Sequence, residues 1–298
     1  MKLKMSIKPI LNTKTCVESF VIHTCNNHNI NLFVKRDDLI HEEISGNKLR
    51  KLKYNFESAK NLNCKRIISF GGAYSNHLLA LAAFGNIEGI STLGIVRGDE
   101  LNRHSNNMLE RCTELGMSLK FVSRSYYKSV KHQDGIINKN NDYYIPEGGA
   151  NGHGVRGCAD IILETENDFD FIIVAQGTCT TSLGIYSAMS KRSKLVVVPV
   201  LKGYDTIYEM ERLAKKAGIC FDSNRVEVLD QYHFGGYAKS NDTLDDFTSR
   251  FNALEQFQIE PTYTAKVLYA LNDYLKKQKG VKKVLFVHTG GLFHYRKS

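Results

Sequence analysis

Residues 170–200 read DFIIVAQGTCTTSLGIYSAMSKRSKLVVVPV, and two strands and a helix can be taken from them directly. FIIVA (171–175) and LVVVPV (195–200) are apolar without alternation. A half-exposed strand alternates, so unbroken runs predict strands covered on both faces, as in a parallel sheet. Between them a turn of small residues, Gly177–Thr181, enters a helical segment, Ser182–Ser190. Strand, turn, helix and strand make the right-handed crossover unit of an α/β fold. VLFV at 284–287 is a third run of the same kind.

The pattern continues on either side. Asp170–Ala175, Lys194–Val200 and Val284–His288 join further predicted strands at Asn31–Lys35, Arg66–Phe70, Thr92–Val96, Leu119–Val122 and Arg225–Leu229. Helical spacing separates them, as in Leu49, Leu52 and Phe56, or Leu78, Leu81 and Ala82. The fold class is α/β, doubly wound, with a mainly parallel sheet.

Composition narrows the function classes. With 42% hydrophobic and 24% charged residues over 298 positions, the chain is globular and not a disordered segment. Its length suits one large α/β domain or two smaller ones. No apolar run nears the roughly 20 residues that span a bilayer. The basic N-terminus, MKLKMSIKPILNTKTC, has no apolar core and does not read as a signal peptide. Seven scattered cysteines without a CxxC pair suit neither a disulfide framework nor a zinc site, so a cytoplasmic protein without metal is expected. The net charge of +9 leaves two classes open: an enzyme for an anionic ligand, or a basic module that binds RNA or a nucleotide without chemistry. No RNA- or DNA-binding signature accompanies it.

Open parallel sheets bind ligands where strands lead into helices. Gly177-Thr178-Cys179-Thr180-Thr181 lies there; its backbone N–H groups and hydroxyls suit a phosphate, and they equally suit an ordinary capped turn. Ser75-Asn76-His77 follows a double glycine and opens a helix. Ser75 or Asn76 can cap that helix, or the pair can meet a substrate carboxylate. Ser45-Gly46-Asn47-Lys48 starts another helix, where Lys48, Arg50 and Lys51 form either a solvated basic face or the setting for an amine of lowered pKa.

Five motifs in one order carry a family resemblance: NLFVKRDDLIHEEISGNKLRKLKY (31–54), FGGAYSNH (70–77), PEGGANGHGVRG (146–157), GTCTT (177–181) and HTGG (288–291). Together they resemble the fold-type II pyridoxal-phosphate enzymes of the tryptophan synthase beta superfamily. More narrowly they resemble the D-cysteine desulfhydrase and 1-aminocyclopropane-1-carboxylate deaminase branch. The first 29 residues match only loosely.

The resemblance implies roles for individual residues. Lys48 stands where the family's lysine forms a Schiff base with pyridoxal 5′-phosphate and later moves the Cα proton. Asn76 stands where an amide meets the pyridoxal 3′-oxygen. Ser75 is placed near the substrate carboxylate with a part in proton transfer, and His77 accompanies it. Gly177, Thr178, Cys179, Thr180 and Thr181 match the phosphate cup, with Cys179 in a place often held by glycine. Tyr237 and Tyr263 resemble the two active-site tyrosines. Thr264 and Thr289 are placed near the pyridine nitrogen.

Two departures stand out. Tyr74 replaces a common glutamine, which reshapes the substrate pocket. Thr264 stands where the ring-opening deaminases carry a glutamate. A neutral threonine gives a weaker electron sink, which suits expulsion of sulfide better than opening of a carbon ring.

The resemblance further implies two open, mainly parallel twisted sheets with helices on both faces. A small α/β domain over residues 50–150 is expected to be inserted into a large cofactor-binding domain, 1–49 and 151–298. The partners expected are a small amino-acid substrate and a second copy in a homodimer, with neither nucleic acid nor membrane. The expected reaction is β-elimination from D-cysteine, giving pyruvate, ammonia and sulfide. Ring-opening deaminase and amino-acid racemase are the alternatives on the same scaffold.

Overall fold

A computed structural model describes residues 14–22, 30–136, 141–166, 168–254, 257–277, 280 and 282–294. The first 13 residues, read above for a leader, and Cys25 lie outside the described residues. The chain runs β1 (Val17–Phe20), β2 (Ile30–Lys35), α1 (Asn47–Asn61), β3 (Arg66–Gly71), α2 (Asn76–Glu88), β4 (Ser91–Arg97), α3 (Asn107–Glu114), β5 (Ser118–Val122) and α4 (Arg124–Val130). It continues with β6 (Gly135–Ile136), β7 (Asp142–Ile145), α5 (Gly152–Leu163), β8 (Phe171–Gln176), α6 (Thr180–Ala188), β9 (Lys194–Pro199), α7 (Thr206–Ala217) and β10 (Val226–Val228). Helices α8 (Asp242–Leu254) and α9 (Thr264–Leu275) and strand β11 (Lys282–Val287) follow.

Two sheets result. The first has the order β1-β2-β11-β8-β9-β10, parallel except for the antiparallel edge pair β1–β2. The second has the order β5-β4-β3-β7-β6, parallel except for β6. All eight expected strands are present, with ends moved by one or two residues. Three strands were not foreseen. β1 is a four-residue edge strand interrupted by Glu18, β6 has two residues, and β7 opens on Asp142, so none carries an apolar run. The helix expected at Ser182–Ser190 instead spans Thr180–Ala188.

The apolar runs are buried on both faces, as their lack of alternation requires. Ile173, Ala175, Val196 and Val198 pack with α9 on one face of the first sheet. Ile172, Val174, Leu195 and Val197 pack with α5, α6 and α7 on the other. Val196, Val197 and Val198 are fully buried, and each such side chain contributes about 1.5–3 kcal/mol.

Helix α5 ties the two site-forming helices together through close backbone approach. A Cβ at Gly157 would strike the carbonyl of Arg50 in α1, and one at Gly184 in α6 would strike Cys158 in α5. Arg50 itself bonds to Asp37 and Glu164, which locks the outer side of α1. The starts of α1 and α6 are thereby held side by side.

Candidate active site

Helix α1 begins at Gly46, whose φ of +63° leaves room for the Thr289 carbonyl where a Cβ would collide. That carbonyl accepts a hydrogen bond from the Asn47 N–H at 3.4 Å, which fixes Thr289 beneath the helix start. The Asn47 amide donates to Thr181 Oγ1 (2.8 Å), and the Lys48 ammonium donates to Asn47 Oδ1 (2.5 Å). Lys48 Nζ also lies 5.7 Å from the centre of the Tyr263 ring. One short chain of contacts therefore joins Lys48, the threonine turn and Tyr263. Burial, reinforced by the charge of Lys51, lowers the Lys48 pKa to about 7 against the pull of the Glu260 carboxylate. A large share of this side chain is then free amine at neutral pH, as a nucleophile requires.

The turn 177–181 forms the start of α6. Cys179 has φ +62°, a left-handed conformation that glycine adopts without cost, which explains why glycine suits the position. Its side chain points into the core, 2% exposed, with Sγ 3.4 Å from the Tyr204 hydroxyl. Burial pushes its thiol up to about 12, so the backbone of Cys179 is what the turn presents. No side chain caps α6, and its first N–H groups face outward from the helix end.

Lys51 completes the turn, and the sequence reading left it among solvated residues. It is buried at 7% exposure, makes no salt bridge among the described residues, and lies within electrostatic reach of Cys158 and Cys179. The loop of Gly148 and Gly149 clamps both partners. A Cβ at Gly148 would sit 2.7 Å from Thr178 Oγ1, and one at Gly149 would sit 3.1 Å from Lys51 Cβ. A buried ammonium without a counter-charge is costly. An uncapped helix start beside it is the place where a phosphate removes that cost, so these residues fit the phosphate of pyridoxal phosphate.

The other predicted residues separate into two groups. Asn76 and Tyr237 line one pocket, together with Tyr74, Met108, Ala238, Glu260, Thr262 and Gly291. Tyr237 meets Tyr263 edge-to-face, with ring centres 6.0 Å apart. Lys266 of α9 holds the Tyr237 loop by donating to the carbonyls of His233 and Gly236 (2.8 and 2.7 Å).

Ser75, His77 and Thr264 instead make local structural bonds. Ser75 Oγ caps α2 by accepting from the Leu78 N–H (3.2 Å). The Ser69 hydroxyl donates to the Ile145 carbonyl, so the His77 Nε2–H is the donor in the 2.9 Å bond to Ser69 Oγ. Burial and the charges of Lys51 and Lys48 lower the His77 pKa to about 3, leaving a neutral ring with Nδ1 unpartnered. The Thr264 hydroxyl accepts from the Glu260 N–H (2.8 Å) and lies 3.2 Å from Glu260 Oε1.

Glu260 is the second residue the sequence reading missed. It is 1% exposed, and its carboxylate accepts from the N–H groups of Thr262, Tyr263 and Thr264 at 2.7, 2.9 and 2.9 Å. Burial raises its pKa to about 7, opposed by those donors. An acid just before Pro261 and a helical run was the available signal. For Lys51 the signal was its i,i+3 spacing from Lys48, which puts both on one helix face.

Two mainly parallel sheets, a perturbed lysine at the start of α1 and, one turn on in the same helix, a buried lysine without a salt bridge among the described residues define a pyridoxal-phosphate enzyme of fold type II. Residues 15–290 match the family model described as pyridoxal-phosphate dependent enzyme, and the chain belongs to that family. Within it, the chain is 29% identical over 284 residues to a Pyrococcus horikoshii protein named, provisionally, as a 1-aminocyclopropane-1-carboxylate deaminase, covering 89% of this chain and 86% of that one. It is 25% identical over 298 residues to the D-cysteine desulfhydrase of Yersinia enterocolitica, covering 89% and 88%. The crystal structure of a homologue of 1-aminocyclopropane-1-carboxylate deaminase superposes with a TM-score of 0.81 at 26% identity, over 96% of this chain and 93% of that one. The chain is thus an enzyme whose cofactor is pyridoxal phosphate, similar to the deaminase and desulfhydrase relatives above, and the binding-only reading of the +9 charge gives way.

Proposed function

We propose that the protein is a lyase that eliminates the β-substituent of a small amino acid, of the D-cysteine desulfhydrase type, giving pyruvate, ammonia and sulfide. The observation that carries the proposal is the Lys48 amine, lowered to about 7 and held over Tyr263 by Asn47. Such a group would hold the cofactor as a neutral nucleophile and, once released, would accept the Cα proton. Bound pyridoxal phosphate supplies the electron sink for the charge left at Cα.

The remaining residues position. The turn Gly177–Thr181 and Lys51 would hold the phosphate, Asn76 would hold the ring through its amide, and Thr289 lies beneath the start of the lysine's helix. Tyr237 and Tyr263 close the pocket over the substrate. The N-terminal turn of α2, which Ser75 caps, receives the substrate carboxylate. The six described cysteines are all free, in keeping with a reducing, cytoplasmic setting. Among the described residues no helix is long and apolar enough to cross a membrane.

A second reading, ring-opening of 1-aminocyclopropane-1-carboxylate, is favoured by one observation: Glu260 brings a carboxylate to the pocket that Thr264 lacks. One assay separates the two. Release of pyruvate from D-cysteine, L-cysteine and β-chloro-D-alanine is compared with release of 2-oxobutanoate from the cyclopropane amino acid. Pyruvate release well above 2-oxobutanoate release is expected; the reverse order establishes the second reading.

A further inference from the structure

The pocket beside Lys48 has walls of two kinds. Asn76, Glu260, Thr262 and Gly291 form a polar wall, whereas Tyr74, Met108, Tyr237 and Ala238 form an apolar one. Two members of the apolar wall stand at the entrance, Tyr74 at 51% exposure and Tyr237 at 40%, while Met108 and Glu260 lie deep, at 2% and 1%. Among the described residues the single charged group lining the pocket is that carboxylate, and its oxygens already accept three backbone N–H groups. Among the described residues no cation lines the pocket to hold a second acid on the substrate. Large apolar side chains left open at the rim of a polar site mark where an apolar part of a ligand rests.

We infer that the preferred substrate carries an apolar group beyond its β-sulfur, an S-alkyl or S-aryl cysteine, and that Tyr74 is the specificity-determining residue. The inference rests on the proposed β-elimination. The amino-acid end is fixed near Lys48 and Asn76, so the β-substituent extends toward Tyr74, Met108, Tyr237 and Ala238. The Cα–H and Cβ–S bonds break, the sulfur leaves with a proton as a thiol, and water releases the remaining three-carbon unit as pyruvate and ammonium. For a zwitterionic S-alkyl cysteine plus one water, the products are one thiol, one pyruvate anion and one ammonium ion. No oxidant or reductant is needed.

The test reads binding apart from turnover. The holoenzyme is titrated with D- and L-alanine, 2-aminobutyrate, norvaline and norleucine, following the change in the cofactor's visible absorption. None of these ligands has a β-leaving group. In the enantiomer that binds, Kd is expected to fall about three- to fourfold per methylene, roughly 30- to 60-fold from alanine to norleucine. Tyr74→Gln should flatten the series and Tyr74→Phe should preserve it. In parallel, kcat/KM for S-methyl, S-ethyl and S-propyl cysteine should rise along the series in the native enzyme. A flat series, or a slope that survives in Tyr74→Gln, overturns the inference while leaving β-elimination from cysteine standing. No absorption change with any amino acid, and no keto acid from any cysteine, overturns the proposed function and this inference with it.

Discussion

Helices α6 and α9 both start beside Lys48, and their first turns are finished in opposite ways. At α9 the chain supplies its own anion: the buried Glu260 carboxylate accepts from three N–H groups in succession. At α6 no side chain among the described residues caps the helix; the residue before it is Cys179 in a left-handed conformation, and the buried Lys51, without a salt bridge among the described residues, lies within electrostatic reach of Cys179. The positive end of one helix dipole is thus answered within the fold, and the other is left for a ligand. Five other helices resemble α9: Ser75, Asn106, Ser123, Asn151 and Asp205 cap α2, α3, α4, α5 and α7. The difference teaches that an uncapped, glycine-like helix start beside an unpaired lysine is the informative feature. A small-residue turn alone is not.

Several substitutions can break or sharpen this contrast. Lys48→Ala should have the largest effect, lowering turnover by about a thousandfold or more while the melting temperature changes little. Borohydride reduction and peptide mapping give the check, and a cofactor label on Lys51 would reassign the roles. Lys51→Met should weaken pyridoxal-phosphate binding by about 10- to 100-fold. The same change should raise the melting temperature of the cofactor-free protein, because an uncompensated buried charge is gone. A loss of stability in the cofactor-free form would show that Lys51 has a partner within the fold.

At the closed helix start the pattern should invert. Glu260→Ala leaves buried N–H groups without an acceptor and should cost about 2 kcal/mol of stability, measured by denaturant unfolding. Its effect on cofactor affinity should be smaller than that of Lys51→Met. The least effect is expected for Cys179→Gly. Relief of the left-handed conformation and loss of a buried side chain nearly cancel, leaving a change of about 0.5 kcal/mol or less.

How much of this was legible in the sequence follows the same division. The long strands were readable because FIIVA and LVVVPV lack alternation, a direct consequence of burial on both faces. Residue type and place marked the threonine turn as one of two readings, and only the family resemblance singled out Lys48. Lys51 was not readable, because Lys48, Arg50 and Lys51 look alike in sequence. Only the packing of α5 and the Gly148-Gly149 loop sends Arg50 to Asp37 and Glu164 and buries Lys51. The bonds of the Thr264 hydroxyl to Glu260, four residues earlier, were not legible in the sequence. Hydrogen bonds of this kind depend on the exact start of a helix, which sequence patterns define poorly.

The central claim is that Lys48 is a largely neutral amine at physiological pH, and the rate of cofactor capture tests it directly. Pyridoxal phosphate is added to cofactor-free protein between pH 5.5 and 9.5, and growth of the band at roughly 410–420 nm is followed. Protonation removes the lone pair that attacks the aldehyde. With a pKa of about 7, the rate should rise near tenfold per pH unit below 7 and level off above it. A rate that keeps climbing tenfold per unit through pH 9.5, as for an ordinary lysine, would contradict the account, as would an unchanged profile in Lys48→Ala.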